Sequence, residues 1–444
     1  MILVRELSAL QESLPIRSAP ELESSVHWTP SETVPIHRWF RYREGFSPNL
    51  FRHYGRSRHR LDPFCGCGTT LLESARSKIP SYGVDINPLA TFVTRTKTTP
   101  YSKADRAEFV RTTKTITSRI RATKPATAPK YSLLPKIFQP EALETLLRLK
   151  TGVEEVESPD VKNLLLLAWI SILERSSNVF KEGNGIKYRN KRRQPHSYAT
   201  VPDDVWIPRY FGKDIPAFVL RLWSQKTLQI AEDLAAHPLH RDSTPDVRTG
   251  SCMDPAMLDF GQPVDLCIFS PPYANRFDYF ESFKVELWMG GFVRSRETLL
   301  QLRHASMRNN LGASRGASSP PWAPLTPFLD AMDPSASSVG MGIRATLRGY
   351  FEDTRTLLRN LRSIVVKSGR VVIVVGNSAY AGSIVPTDVL VAKIGKEEGY
   401  RVKRIDVARH LHVSSQQRPK LGGLTRFMRE SVVVLENPRC TNSH

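Results

Sequence analysis

One short stretch limits the folds open to this chain more than any other: Asp62-Pro63-Phe64-Cys65-Gly66-Cys67-Gly68-Thr69-Thr70. An apolar segment runs into Leu61 before it, and apolar spacing predicts a helix over residues 70–78 after it. Glycines at 66 and 68 allow a sharp turn and let the backbone approach a neighbour with no Cβ in the way. A second short strand, predicted over 81–84, ends in Asp85. Strand, glycine turn, helix and strand in that order open a doubly wound α/β sheet. The fold class expected is therefore α/β, with a Rossmann-like sheet.

The later sheet signals fit that expectation. Strands are predicted over 246–248, 264–269, 370–375, 402–407 and 431–435, with helices over 347–364 and 388–398. A simple sheet needs far fewer residues between Asp85 and Val264 than are present. Helical periodicity over 138–149 and 161–173 predicts a mostly helical insertion there, drawn at 125–210. The remaining divisions are an N-terminal extension at 1–26, flanking α/β segments at 27–124 and 211–437, and a tail at 438–444. Residues 304–340, rich in Ser, Ala, Pro and Gly, read as a long mobile loop.

Composition narrows the function classes. Lys and Arg number 63 against 43 Asp and Glu, a formal charge of +20 that suits a polyanionic partner. Part of that excess is local: Lys187, Arg189, Lys191, Arg192 and Arg193 crowd one short run, as a phosphate-tracking loop would. A solvated surface is the ordinary alternative for such a run. The longest apolar run, 164–173, is about half of what spanning a bilayer needs and reads as a buried helix. The first residues carry no secretory signal. Five cysteines without paired metal spacing read as small thiols in a reducing cytoplasm. The histidines show no HxH or HExxH pattern, so no metal is expected.

Two places carry candidate chemistry. After the glycine turn, the helix N-terminus offers free N–H groups to a carboxylate, and Asp85 can accept hydrogen bonds from ribose hydroxyls. The bland reading, an ordinary tight turn, does not account for the strand, helix and acid that accompany it. The second place is Ser270-Pro271-Pro272-Tyr273, at the end of the apolar strand 264–269. Its prolines donate no N–H, so carbonyls and the Ser270 hydroxyl remain as acceptors. Acceptors are what an exocyclic amine needs, and Tyr273 offers a face on which an extruded base can lie.

The two motifs together resemble those of the DNA amino-methyltransferases. Asp62 to Thr70 is similar to that family's cofactor loop, and Ser270 to Tyr273 to its catalytic tetrapeptide. Gly83-Val84-Asp85-Ile86-Asn87-Pro88 resembles the ribose-binding segment, and Gly45-Phe46-Ser47-Pro48 the segment before the loop. Phe277-Asp278-Tyr279, Lys284-Val285-Glu286-Leu287-Trp288, Gly376-Asn377-Ser378 and Pro386-Thr387-Asp388 also fit.

The resemblance covers most of residues 27–437 and implies a class I methyltransferase sheet that binds S-adenosylmethionine. The cofactor-binding residues it implies are Phe46, Ser47, Pro48, Asp62, Pro63, Phe64, Gly66, Gly68, Thr69, Thr70, Asp85, Ile86 and Asn87. The catalytic ones are Ser270, Pro271, Pro272 and Tyr273.

A tetrapeptide with Ser first is associated with cytosine-N4 enzymes, so the activity implied is methylation of the cytosine amine in DNA. Adenine-N6 methylation is the alternative; an RNA base methyltransferase and a non-catalytic DNA-binding homologue are more distant ones. DNA is the expected partner, with room for a cognate restriction nuclease and none for a membrane. The insertion between the motifs is the expected target-recognition region. One departure stands out. Gly250-Ser251-Cys252 replaces a glycine followed by an acidic residue, and Asp254 is the nearest substitute.

Overall fold

The computed structural model describes residues 2–42, 44–183, 185–194, 197–310, 322–413 and 418–439. Eight strands make one sheet: β1 (Ile16–Ser18), β2 (Arg60–Asp62), β3 (Ser81–Asp85), β4 (Asp246–Thr249), β5 (Val264–Phe269), β6 (Val365–Gly376), β7 (Arg401–His410) and β8 (Arg429–Glu436). Their spatial order is β1-β7-β8-β6-β5-β2-β3-β4. Neighbours run parallel except at β8, which is antiparallel to both β6 and β7. This is a Rossmann-like α/β sheet. The core of β5, β6 and β8 is nearly continuous in Val, Ile and Leu, as strands covered on both faces must be.

The order in which the chain lays down its strands reverses between β2 and β5, where Leu61 pairs with Cys267. Ligands of open α/β sheets bind at such a switch point, outside the carboxyl ends of the strands. β2 ends at Asp62 and β5 ends one residue before Ser270, so the topology brings the two motifs to one edge. Because β8 runs the opposite way, its first residues, Arg429 and Glu430, lie at that same edge.

Helices α1 (Thr69–Arg76) and α2 (Pro88–Thr98) follow β2 and β3. Between β3 and β4, α3 (Lys103–Arg119), α4 (Pro140–Glu154), α5 (Pro159–Ile172) and α6 (Ile215–Ala236) pack on one another. This helical group extends on both sides of residues 125–210. Trp169 and Trp223 are fully buried in it, and their indole N–H groups donate to the Leu146 carbonyl (2.8 Å) and the Thr117 hydroxyl (3.2 Å). The apolar run at 164–173 is thus core. Among the described residues, no helix is long and apolar enough to cross a membrane.

The basic stretch folds into two small hairpins, Val179–Glu182 with Gly185–Tyr188 and Lys191–Arg193 with Tyr198–Thr200. The aromatic segment before β2 ties the helical group to the sheet. Asp233 of α6 is buried and accepts from the Ile36 amide (2.9 Å), the Trp39 indole (2.9 Å) and the Arg38 guanidinium (2.6 Å).

Two further helices cover the other side: α7 (Ile343–Ile364), which buries Leu347, Tyr350, Leu357, Leu358 and Leu361 along one stripe, and α8 (Thr387–Glu397). Within the stretch expected as a loop, Met307, Leu325, Phe328, Leu329 and Met332 are buried. Arg308 is held there by Asp353 (2.6 Å). Residues 311–321 of that stretch, and 440–444 of the tail, lie outside the described residues.

Candidate functional site

The glycine loop is fixed by its own carboxylates. Asp62, at the end of β2, accepts from the Thr70 hydroxyl (2.5 Å) and the Phe64 amide (3.1 Å). Asp85, at the end of β3, accepts from the Gly66 amide (2.9 Å) and the Asn87 amide (2.8 Å). Burial raises both acids, Asp62 to about 7 and Asp85 to about 6. Gly66 and Gly68 both adopt positive φ, at 49° and 85°. A Cβ on Gly68 would come within 2.8 Å of the Thr94 side chain, so conformation and space both require glycine there. Cys65 and Cys67 are buried beside the turn, and burial raises their thiols. They act as small packing groups.

A cavity opens above this loop. Phe46, Asp62, Phe64, Gly66 and Thr69 line one part, and Asp85, Ile86 and Asn87 another. Ser270 and Pro272 close it from the end of β5. Ser47, Pro48, Pro63, Gly68, Thr70 and Pro271 do not line it; Ser47 is fully buried, and Thr70 holds Asp62. The residues present fit a nucleoside-bearing ligand. Asp85 spends one lone pair of each oxygen on an amide and keeps capacity for hydroxyl donors. The Asn87 side-chain amide nitrogen is buried without a partner, a donor left for a ligand acceptor.

The chain aligns over 93% of its length with two type II methyltransferases. M.BsoBI of Geobacillus stearothermophilus is 26% identical, with 88% of that protein covered. M.AvaI of Nostoc sp. is 24% identical, with 89% covered. The chain is a homologue of the type II methyltransferases. A third, M.MvaI of Kocuria varians, is 28% identical over 33% of this chain and 32% of its own. No protein-family model matches. Among solved structures, the rRNA methyltransferase aviRa from Streptomyces viridochromogenes aligns at a TM-score of 0.27 and 11% identity over 97% of this chain and 92% of its own, too distant to carry an argument.

In this methyltransferase homologue, Tyr273 does not line the first cavity. It lines a second, open cavity with Asn275, Arg276, Asn377, Ser378 and His412. Two other sequence segments support that cavity. Asn377 accepts from the Asp388 amide (3.1 Å), and the buried Asp388 carboxylate accepts from Arg429 (2.7 Å) and Ser431 (2.9 Å). Asp254 is exposed and caps the short helix Pro255–Leu258, so it lines neither cavity.

Several lining residues belong to no motif of the sequence. Tyr42 faces the first cavity, as do Met307, Asn309 and Asn310, beside Tyr279 of the Phe277-Asp278-Tyr279 segment. The aromatic density of residues 27–50 was a signal for Tyr42. The asparagines come from a segment with loop-like composition, and only their burial, at 4% and 5% exposure, marks them.

The basic run is divided by its contacts. Arg189 is turned inward, donating to the Ser177 carbonyl (2.9 Å) and the Glu174 carbonyl (2.9 Å) and lying 4.2 Å from the Tyr210 ring centre. Lys187 pairs with Glu182 (2.7 Å), and Lys191 donates to the Thr200 hydroxyl (2.5 Å). Arg192 is exposed and lines a groove with Arg209, Val205 and Trp206. The side chain of Arg193 lies outside the described residues. The first hairpin also reaches toward the cavity. Lys181 pairs with Glu286 (2.5 Å) and lies 3.9 Å from the Phe283 ring centre, and Phe283 stacks on Tyr42 at 5.0 Å.

Proposed function

We propose that this chain is an S-adenosylmethionine-dependent DNA methyltransferase that acts on the exocyclic amine of cytosine, at N4. The observation that carries the reading is the position of Ser270-Pro271-Pro272-Tyr273 between two cavities. Ser270 and Pro272 meet the cavity built by the glycine loop, and Tyr273 meets the other. A tetrapeptide so placed can hold a base on one side and reach a methyl donor on the other. The homology to type II methyltransferases supports methyl transfer to DNA, and the net charge of +20 supports a polyanionic partner.

The cofactor, when bound, supplies an electrophilic methyl group on its sulfonium. Asp85 and Asn87 would hold its nucleoside, with Phe46, Phe64 and Ile86 as apolar walls. The chain's own task is positioning. The Ser270 hydroxyl and a carbonyl of the Pro-Pro unit accept the two hydrogens of the amine, which turns its lone pair toward the methyl group. Tyr273 stacks on the extruded base. No general base is required at position 270, because the methylated nitrogen is acidic enough to release its proton afterwards.

The helical group and its hairpins are the proposed target-recognition region, with Arg192 as the cation best placed for a phosphate. The experiment is transfer of labelled methyl groups from the cofactor to duplex DNA and to transfer RNA in parallel. Labelled DNA with unlabelled RNA is expected. Labelled RNA alone would overturn the reading.

A further inference from the structure

The Tyr273 hydroxyl donates to Glu430 Oε1 at 2.8 Å. Glu430 is 4% exposed and stands at the start of β8, which the antiparallel direction of that strand brings to the catalytic edge. Its other oxygen accepts from Arg409 Nε at 2.6 Å, a cross-strand partner on β7. The Tyr273 ring is confined from another side as well. A Cβ on Gly376 would lie 2.9 Å from Tyr273 Cε2. Burial pushes the phenol well above its ordinary range, so it keeps its hydrogen.

Hydrogen-bond direction follows from this arrangement. An ionised carboxylate can only accept, so the single phenolic hydrogen is spent on Glu430. Held at its hydroxyl by Glu430 and confined at its edge by Gly376, the Tyr273 ring has one orientation toward the second cavity.

We propose that Glu430, anchored by Arg409, is a positioning residue for methyl transfer that acts through the Tyr273 hydroxyl to hold the Tyr273 ring in place against the base. This rests on the DNA amino-methyltransferase reading above. It gives the phenolic oxygen its own role, fixing the orientation of the ring that stacks.

The test is a double-mutant cycle on Glu430→Gln and Tyr273→Phe, reading kcat on duplex DNA and the affinity for S-adenosylhomocysteine. The phenylalanine keeps the stacking face and removes only the hydroxyl. Each single variant should lower kcat about tenfold, the size of one lost hydrogen bond to a charged group, with S-adenosylhomocysteine affinity unchanged. The double variant should fall no more than about twofold below Tyr273→Phe, because both changes break one chain. Losses that multiply would overturn the proposal, as would Tyr273→Phe turning over at the wild-type rate. The second arm decides the matter even if Glu430→Gln does not fold. A wild-type protein that methylates no DNA would instead overturn the functional reading, and this proposal with it.

Discussion

Burial sets the chemistry of the two carboxylates in the first cavity. Asp85, raised to about 6, is ionised above that pH and protonated below it. A carboxylate that accepts both ribose hydroxyls must be ionised, so affinity for S-adenosylmethionine should fall as pH drops through about 6. Calorimetry across pH 5 to 8 checks this, with Asp85→Asn expected to remove that step. At neutral pH, Asp85→Ala should weaken binding at least about tenfold, because charged hydrogen bonds contribute roughly 1.5–3 kcal/mol each. Unchanged affinity in a folded variant would take Asp85 out of the site. Stability carries the opposite sign. Folded Asp62 and Asp85 hold protons that the unfolded chain releases near 3.8, so the ligand-free protein should lose stability as pH rises from about 4 to about 7. Of this site, the loop, Asp85 and the tetrapeptide were legible because each is local: a turn, its glycines and a strand end. Tyr42, Asn309 and Glu430 were not, since folding brings them in from distant segments.

Charge among the secondary elements has two uses, and contacts tell them apart. Arg189 is committed to two carbonyls and an aromatic ring, whereas Arg192 is exposed. Replacing Arg192 with Ala should reduce the salt dependence of DNA affinity by about one slope unit, while Arg189→Ala should lower the unfolding midpoint and leave the slope unchanged. Fluorescence anisotropy over a salt series reads the first, and urea unfolding the second. An unaltered slope for Arg192→Ala would make it a solvated surface charge. The sequence places these cations within a few residues of each other, and spacing alone cannot divide them. Division follows from the hairpins, which were not expected because short, charged strands lack apolar alternation. A second prediction concerns the joint between α6 and the segment before β2. Asp233→Asn leaves the shape but removes the charge that Arg38, Trp39 and Ile36 share, and should destabilise the protein by about 3 kcal/mol. Denaturant titration checks it.

Across the whole molecule, the sheet order explains why motifs far apart in sequence share one edge. Strands with continuous apolar runs, such as β5 and β6, were plain from composition. Less legible was the reversal at β8, because an apolar strand carries no mark of its direction. That reversal brings Glu430 to Tyr273 and completes the side of the tetrapeptide that faces the second cavity. One claim is therefore central: a base amine is held at Ser270, between a donor cavity and a base cavity, and is methylated there. Nucleoside mass spectrometry of DNA from cells expressing the protein tests it most directly. The expected product is 4-methylcytosine, absent when Ser270 and Tyr273 are both replaced by Ala. Finding 6-methyladenine alone would contradict the assignment of the base, and finding no methylated amine in DNA would contradict the claim itself.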